Sequence, residues 1–122
     1  MNRTRFSNAD LRDVEAYGGV FSSSNFSGAD LTNASFVGAY LEGANFTGAT
    51  LTGANFSGAN LSNASFVGAY LDGANFSGAT LAGANFAGAS LERATGLTQG
   101  RLSQACGDEA TQLPRGLTIP HC

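Results

Sequence analysis

Lysine is absent from this chain, proline occurs only at Pro114 and Pro120, and charged residues make up 12% of the 122 positions, about half the usual share. Low charge together with 43% hydrophobic residues excludes disorder of the polar, highly charged kind. Scarce proline beside 17 glycines excludes collagen and proline-rich linkers. It indicates instead many tight turns that need residues tolerant of positive φ. No apolar run approaches the length of a membrane-spanning helix, so no membrane association is expected. The segment Met1–Phe6 has no apolar stretch of the kind that signal peptides carry. The expectation is a cytoplasmic protein, or a periplasmic one if a leader has been removed. A net charge of −3 gives no basic footprint, so direct binding of nucleic acid is not expected. The length allows one domain.

What the chain does contain is a period of five. Large apolar residues stand at Phe21, Phe26, Leu31, Phe36, Leu41, Phe46, Leu51, Phe56, Leu61, Phe66, Leu71, Phe76, Leu81, Phe86 and Leu91. From Phe26 onward Phe and Leu alternate without a slip, and these fourteen form the expected core stack. Two residues before each large residue is Ala, without exception from Ala29 to Ala89. Two residues after it is Gly in most units, and Asn33 or Asn63 in two others. On a helix a five-residue step smears the apolar set around the axis. On a flat strand it sends successive large residues to opposite faces. The period therefore demands a unit that turns the chain once per repeat, and Gly or Asn is the chemistry for that turn. Each unit buries one large residue and one Ala and presents mostly Ser, Thr, Asn and Gly outward. Around Ala16 the large centre is missing, and Val14 supplies bulk at the neighbouring inward position.

The units Ala-Asn-Phe-Ser-Gly (54–58), Ala-Asn-Leu-Ser-Asn (59–63) and Ala-Asp-Leu-Thr-Asn (29–33) resemble the A(D/N)LXX motif of the pentapeptide-repeat family. The resemblance runs from about residue 4 to residue 93. It implies an all-β solenoid, a right-handed quadrilateral β-helix with four units per coil, in which Phe and Leu occupy alternate sides of the square. The expected organisation is a repeat domain over 1–93 with irregular first units, and a C-terminal cap over 94–122 made of a short helix and a tail. Within the cap, residues 97–107 read as the helix, with Thr98 as N-cap, Leu97 and Leu102 as a hydrophobic staple and Gly107 as the stop. The segments 105–108 and 113–117 are similar to a tail of bacterial pentapeptide-repeat proteins.

Residues 27–56 and 57–86 are near-copies, differing at Asp30/Asn60, Thr32/Ser62, Glu42/Asp72, Thr47/Ser77 and Thr52/Ala82. Thirty residues are one and a half coils of the implied helix, so Tyr40 and Tyr70 should face opposite ways, as should Val37 and Val67. These four are the candidate surface contacts. Asp30, Glu42 and Asp72 have no basic neighbours in sequence and read as solvated surface groups.

Cys106 and Cys122 would be joined in an oxidising compartment and reduced in the cytosol. With His121 they lack the fourth ligand and spacing of a structural metal site. A Cys–His nucleophile would have no orienting partner, and no GxxxxGK[ST] loop occurs. No metal, cofactor or catalytic residue is expected. The reading is a non-enzymatic scaffold that binds an unidentified protein, with an end-to-end homodimer as one form of partnership. The alternative, implied by the family, is a DNA mimic that binds gyrase or topoisomerase.

Overall fold

The computed structural model describes residues 3–122; Met1 and Asn2, which the expected repeat domain over 1–93 includes, lie outside the described residues. The backbone closes a coil every twenty residues. Arg5 pairs with Asn25, Asp10 with Asp30, Glu15 with Ser35 and Val20 with Tyr40, and the same parallel spacing continues to Asn75 and Thr95. Twenty residues at five per unit give four sides. The first side carries the column Phe6, Phe26, Phe46, Phe66 and Phe86, and the second carries Leu11 to Leu91. The third carries Ala16, Phe36, Phe56 and Phe76, and the fourth Phe21, Leu41, Leu61 and Leu81.

Each corner is the same turn. The carbonyl of the large residue accepts the N–H three positions on, as in Ala59 N–H to Phe56 O at 3.0 Å. From Arg3 to Gly88 the third residue of the turn is left-handed, with φ from 58° at Arg3 to 72° at Gly73, the type II pattern. In the first coil that place falls to Arg3, Asn8, Asp13 and Ser23 as well as Gly18, and for ordinary residues such a φ is strained. Between corners each unit bonds the coils on both sides. Phe56 N–H donates to Asn75 O at 2.7 Å, Gly58 N–H to Ser77 O at 2.9 Å, and Asn55 N–H to Ala34 O at 2.9 Å. Where Asn or Asp precedes the large residue, its side chain fastens the corner from outside. Asn55 Oδ1 accepts the Ser57 N–H at 2.9 Å and the Ser57 hydroxyl at 2.6 Å, and Asn75 holds Ser77 in the same way. This local bond is why Asn or Asp recurs with Ser or Thr two residues on.

Inside, like stacks on like. Phe26 lies on Phe46 at 4.9 Å with the rings 6° from parallel, and Phe36 on Phe56 at 5.5 Å and 5°. Rings from the two opposite sides meet edge to face, as Phe46 and Phe56 do at 5.8 Å and 79°; both arrangements suit aromatic quadrupoles. From Phe26 to Leu91 the fourteen large residues are no more than 2% exposed. The first coil departs from the rule: Ala16 sits in a Phe column and Phe21 in a Leu column. Phe21 leans inward, edge to face on Phe36 at 6.0 Å and on Phe26 at 5.9 Å. Bulk missing at Ala16 is thus supplied by Phe21 as well as by Val14. Gly19 stands where other units have Ala, and a Cβ there would run into the Phe21 ring.

The repeat ends at Leu91, where Ala94 N–H still bonds Leu91 O at 3.0 Å. Gly96 then arrives where the third side would continue with Phe. A single helical turn, α1 (Gln99–Leu102), lies over the column end, with the Thr98 side chain accepting the Arg101 N–H at 3.3 Å. This is shorter than the helix expected over 97–107. Leu102 is fully buried, and the chain then re-enters the ladder: Cys106 pairs with Asn85, and Phe86 N–H bonds Cys106 O at 2.7 Å. Gly107 does not stop a helix; it pairs with His121. The Arg101 guanidinium donates to the carbonyls of Phe76, Ala79 and Gly96; Ala79 O is the ladder acceptor that the interruption leaves open, since Ala59 O one coil earlier takes the Thr80 N–H at 2.9 Å. Cys106 and Cys122 form a disulfide across a separation of 16 residues, with Cα atoms 4.8 Å apart.

Two stability predictions follow from these contacts. A Cβ at Gly83 would collide with Asn63 Oδ1 from the coil before, whereas one at Gly78 meets Gly58 backbone only at ordinary distance. Both glycines are left-handed, so each alanine costs about 1–2 kcal/mol, and Gly83→Ala should cost more than Gly78→Ala in denaturant unfolding. Adding Asn63→Gly should remove the excess; if it does not, the steric account is wrong. Reduction, or Cys122→Ser, should cost ~3 kcal/mol on the loop-closure scale, read as a lower unfolding midpoint that dithiothreitol does not lower further in the variant.

Candidate protein-contact surface

The residues just before and just after each large residue face outward, and those twenty apart become neighbours across coils about 4.8 Å apart. At the corner between the third and fourth sides this registers four apolar side chains. Val20 pairs with Tyr40, while Tyr17 and Val37 hold equivalent places one coil apart, where Gly18 N–H bonds Val37 O at 2.8 Å. Tyr thus lies beside Val in both rows, in opposite order. Tyr17 is 62% exposed, Tyr40 53% and Val20 45%, and Val37 is half-buried beside them.

Val67 and Tyr70 lie between the first and second sides, opposite this patch. Tyr70 is 55% exposed, but its ladder partners are Thr50 and Ser90. The half-turn offset of the duplicated block therefore separates the expected contacts into two places. One of them is enlarged by Tyr17 and Val20, which lie in the irregular first units and outside the four expected contacts. The signal was present: Tyr17 precedes Val37, and Val20 precedes Tyr40, by the twenty residues of one coil.

Charge is also gathered by the coil. The second side and its following corner carry Asp10, Asp13, Asp30, Asp72 and Glu92, with Arg12 and Arg93 among them. Asp30 does not stand alone, as the sequence suggests. Arg12 Nε lies 3.9 Å from its carboxylate, because residues 12 and 30 belong to adjacent coils. Arg12 binds Asp10 with two charge-assisted hydrogen bonds, at 2.9 and 2.8 Å. These bonds hold the Asp10 carboxyl below the usual carboxylate range and push the Arg12 guanidinium up. Glu42 lies apart, on the fourth side.

At the cap, a shallow depression of about 540 Å³ is lined by Ala87, Gly107, Asp108, Glu109, Ala110, His121 and Cys122. Asp108 is committed to structure there: its Oδ1 accepts the N–H of Gly88 and of Ala110, each at 3.0 Å. The Gly88 N–H is the main reason its carboxyl is held below the usual range. The disulfide takes up both cysteines, so His121 has no thiol beside it to activate. Among the described residues no group of His, Cys, Asp and Glu is placed to hold a metal ion, and no helix is long and apolar enough to cross a membrane.

Residues 1–28, 24–63 and 59–95 match the family model described as pentapeptide repeats (8 copies). No match is found among curated proteins. Among solved structures, the chain is similar to HetL, a pentapeptide repeat protein involved in heterocyst differentiation regulation in the cyanobacterium Nostoc. The identity is 29% and the TM-score 0.74, over 90% of this chain and 49% of that one. It is similar to a pentapeptide repeat protein of the Arabidopsis thaliana thylakoid lumen at 36% identity and a TM-score of 0.59, over 69% of this chain and 62% of that one. A second Nostoc pentapeptide repeat protein, alr5209, shares 26% identity at a TM-score of 0.66, over 91% of this chain and 85% of that one. The chain thus spans about half the length of HetL and less than two thirds of the thylakoid protein.

Proposed function

The chain belongs to the pentapeptide-repeat family, with that family's right-handed quadrilateral β-helix as its shaft, and from this premise we propose that it is a non-enzymatic scaffold that binds another protein. The observation that carries the reading is the Tyr17–Val20–Val37–Tyr40 patch. Tyrosines on a rigid backbone give large contact area at little entropic cost, and aromatic residues are enriched in interface cores. A β-helix interior packed solid with Phe and Leu leaves the outer surface as the place for recognition. HetL, named for a role in regulating differentiation, is in keeping with a scaffold. Partners in this reading are proteins, a second copy of the chain included. The disulfide fits an oxidising compartment, which favours the periplasmic alternative over the cytoplasmic one.

Mimicry of DNA toward gyrase or topoisomerase is the second reading, and the acidic second side is what favours it. Magnitude ranks it lower. A duplex of the shaft's length, roughly 20 Å, carries about 12 phosphate charges. The acidic side offers Asp10, Asp13, Asp30, Asp72 and Glu92, partly offset by Arg12 and Arg93.

Two experiments separate these readings. Immobilised wild-type protein and the Tyr70→Ser variant should retain the same partner from native extract, and Tyr17→Ser/Tyr40→Ser should lose it. Equal retention by all three would remove the patch from the account. In a supercoiling assay with purified gyrase the protein should have no effect; inhibition at sub-micromolar concentration would reverse the order of the two readings.

A further inference from the structure

Glu15 and Tyr17 face outward together on the third side, and Tyr40 and Glu42 do so on the fourth. Residues two apart on one side are about 6–7 Å apart along the backbone, so each tyrosine has a carboxylate beside it. The sequence around this corner reads alike in both directions. Residues 15–22 are Glu-Ala-Tyr-Gly-Gly-Val-Phe-Ser, and residues 42 back to 35 are Glu-Leu-Tyr-Ala-Gly-Val-Phe-Ser, identical at six of eight places. The two stretches lie side by side in adjacent coils, with Val20 paired to Tyr40. The reversed order therefore becomes a local two-fold array. Tyr17 is diagonal to Tyr40 and Val20 to Val37, and one carboxylate stands beyond each tyrosine, at opposite ends. Among the described residues neither Glu15 nor Glu42 has an ion-pair partner; the two ion pairs there belong to Arg12, with Asp10 and Asp30. The chain has no lysine, and no arginine between Arg12 and Arg93.

We propose that this corner binds an arginine-bearing segment of a partner protein, with one guanidinium in each Glu–Tyr pair and an apolar side chain over the valines. The inference rests on the corner being a protein-contact surface, and it names the chemistry of what is contacted. A guanidinium stacks on a tyrosine face within about 6 Å of the ring centroid. From there it reaches the neighbouring carboxylate and donates charge-assisted hydrogen bonds. The compact, strongly hydrated ammonium of lysine cannot stack and fork in this way. The two tyrosines are three residues along the chain and one coil apart, so at most about 11 Å separates their backbones. An extended segment with arginines four residues apart spans about 13 Å and turns its middle residue to the same face. One such segment serves both pairs, and each contact then raises the effective concentration for the other. Tyr70 and Asp72, the duplicated copy of Tyr40 and Glu42, make a single pair on the second side. The ladder neighbours of Tyr70 are Thr50 and Ser90, so a segment with two arginines gains nothing there.

Titration of isotope-labelled protein with the peptide acetyl-Arg-Ser-Val-Ser-Arg-amide, followed by NMR, tests it. The expected result is a set of shifts centred on Tyr17, Val20, Val37 and Tyr40, with an affinity that salt weakens. Replacing either arginine of the peptide by citrulline, which has the same shape and no charge, should weaken binding by about tenfold or more. Glu15→Gln and Glu42→Gln should each do the same, by equal factors, because the two halves of the array are equivalent; Tyr70→Ser should change nothing. No shift at millimolar peptide overturns the proposal. So does binding that is indifferent to citrulline or to both Gln variants, or shifts that are as large around Tyr70. The native-extract experiment separates this inference from the reading beneath it. A partner lost by Tyr17→Ser/Tyr40→Ser but kept by Glu15→Gln/Glu42→Gln leaves the contact surface standing and removes the arginine clamp.

Discussion

Every part of this structure rests on a turn that must be made once in five residues. The turn needs a backbone position with φ near +60°, and the rest of the unit follows from that need. The large residue precedes the turn and goes inward, because the corner has just changed the direction of the chain. The residue after the turn is Ala because the same narrow interior already holds a Phe or Leu from each side. Outside, the Asn or Asp carboxamide or carboxylate oxygen holds the corner's N–H. The unit is therefore a backbone solution first and a packing solution second. The column of Phe and Leu keeps a constant width because like residues fall on like.

The shaft was legible in the sequence because its signal is local. A window of ten residues shows the alternation, the Ala and the turn residue, and the structure places all fourteen stacked residues inside. The surface was less legible because its neighbours are twenty residues apart. Tyr17 beside Val37, and Arg12 beside Asp30, become visible only when the chain is folded into coils of four units. Tyr17 and Val20 follow Asp13 and Glu15 in a unit without a large centre, so no local apolar pattern marks them. The cap was misread for a different reason. Thr98 and Leu102 are sound signals of a helix start, but Gly107 resembles a helix stop only if the chain stays helical after Leu102. The unsatisfied ladder of the preceding coil draws Cys106 into pairing, and that non-local demand outweighs local propensity.

The two ends show how a solenoid handles the loss of its neighbour. A coil in mid-shaft has its polar backbone and its apolar centre covered by the coils on either side. The C-terminal coil replaces the missing neighbour with one buried Leu, one Arg directed at carbonyls and a covalent tie. The first coil is built less regularly. It carries strained turn residues at Arg3, Asp13 and Ser23, a displaced Phe21 and a Gly19 that makes room for it. Its centre is packed, but less regularly than any coil that follows.

The alternation of Phe and Leu also restricts how such a shaft can lengthen. Adding one unit, or any odd number, would place every downstream Phe on a Leu column and upset the stacking throughout. Additions of ten residues, or of multiples of ten, leave the columns intact. The thirty-residue duplication here obeys that rule. Yet ten residues are half a coil, so each odd multiple of ten carries everything beyond it, the cap included, to the opposite side. Growth and orientation are therefore coupled: such a lineage can change which way its ends face without altering one buried contact of the shaft.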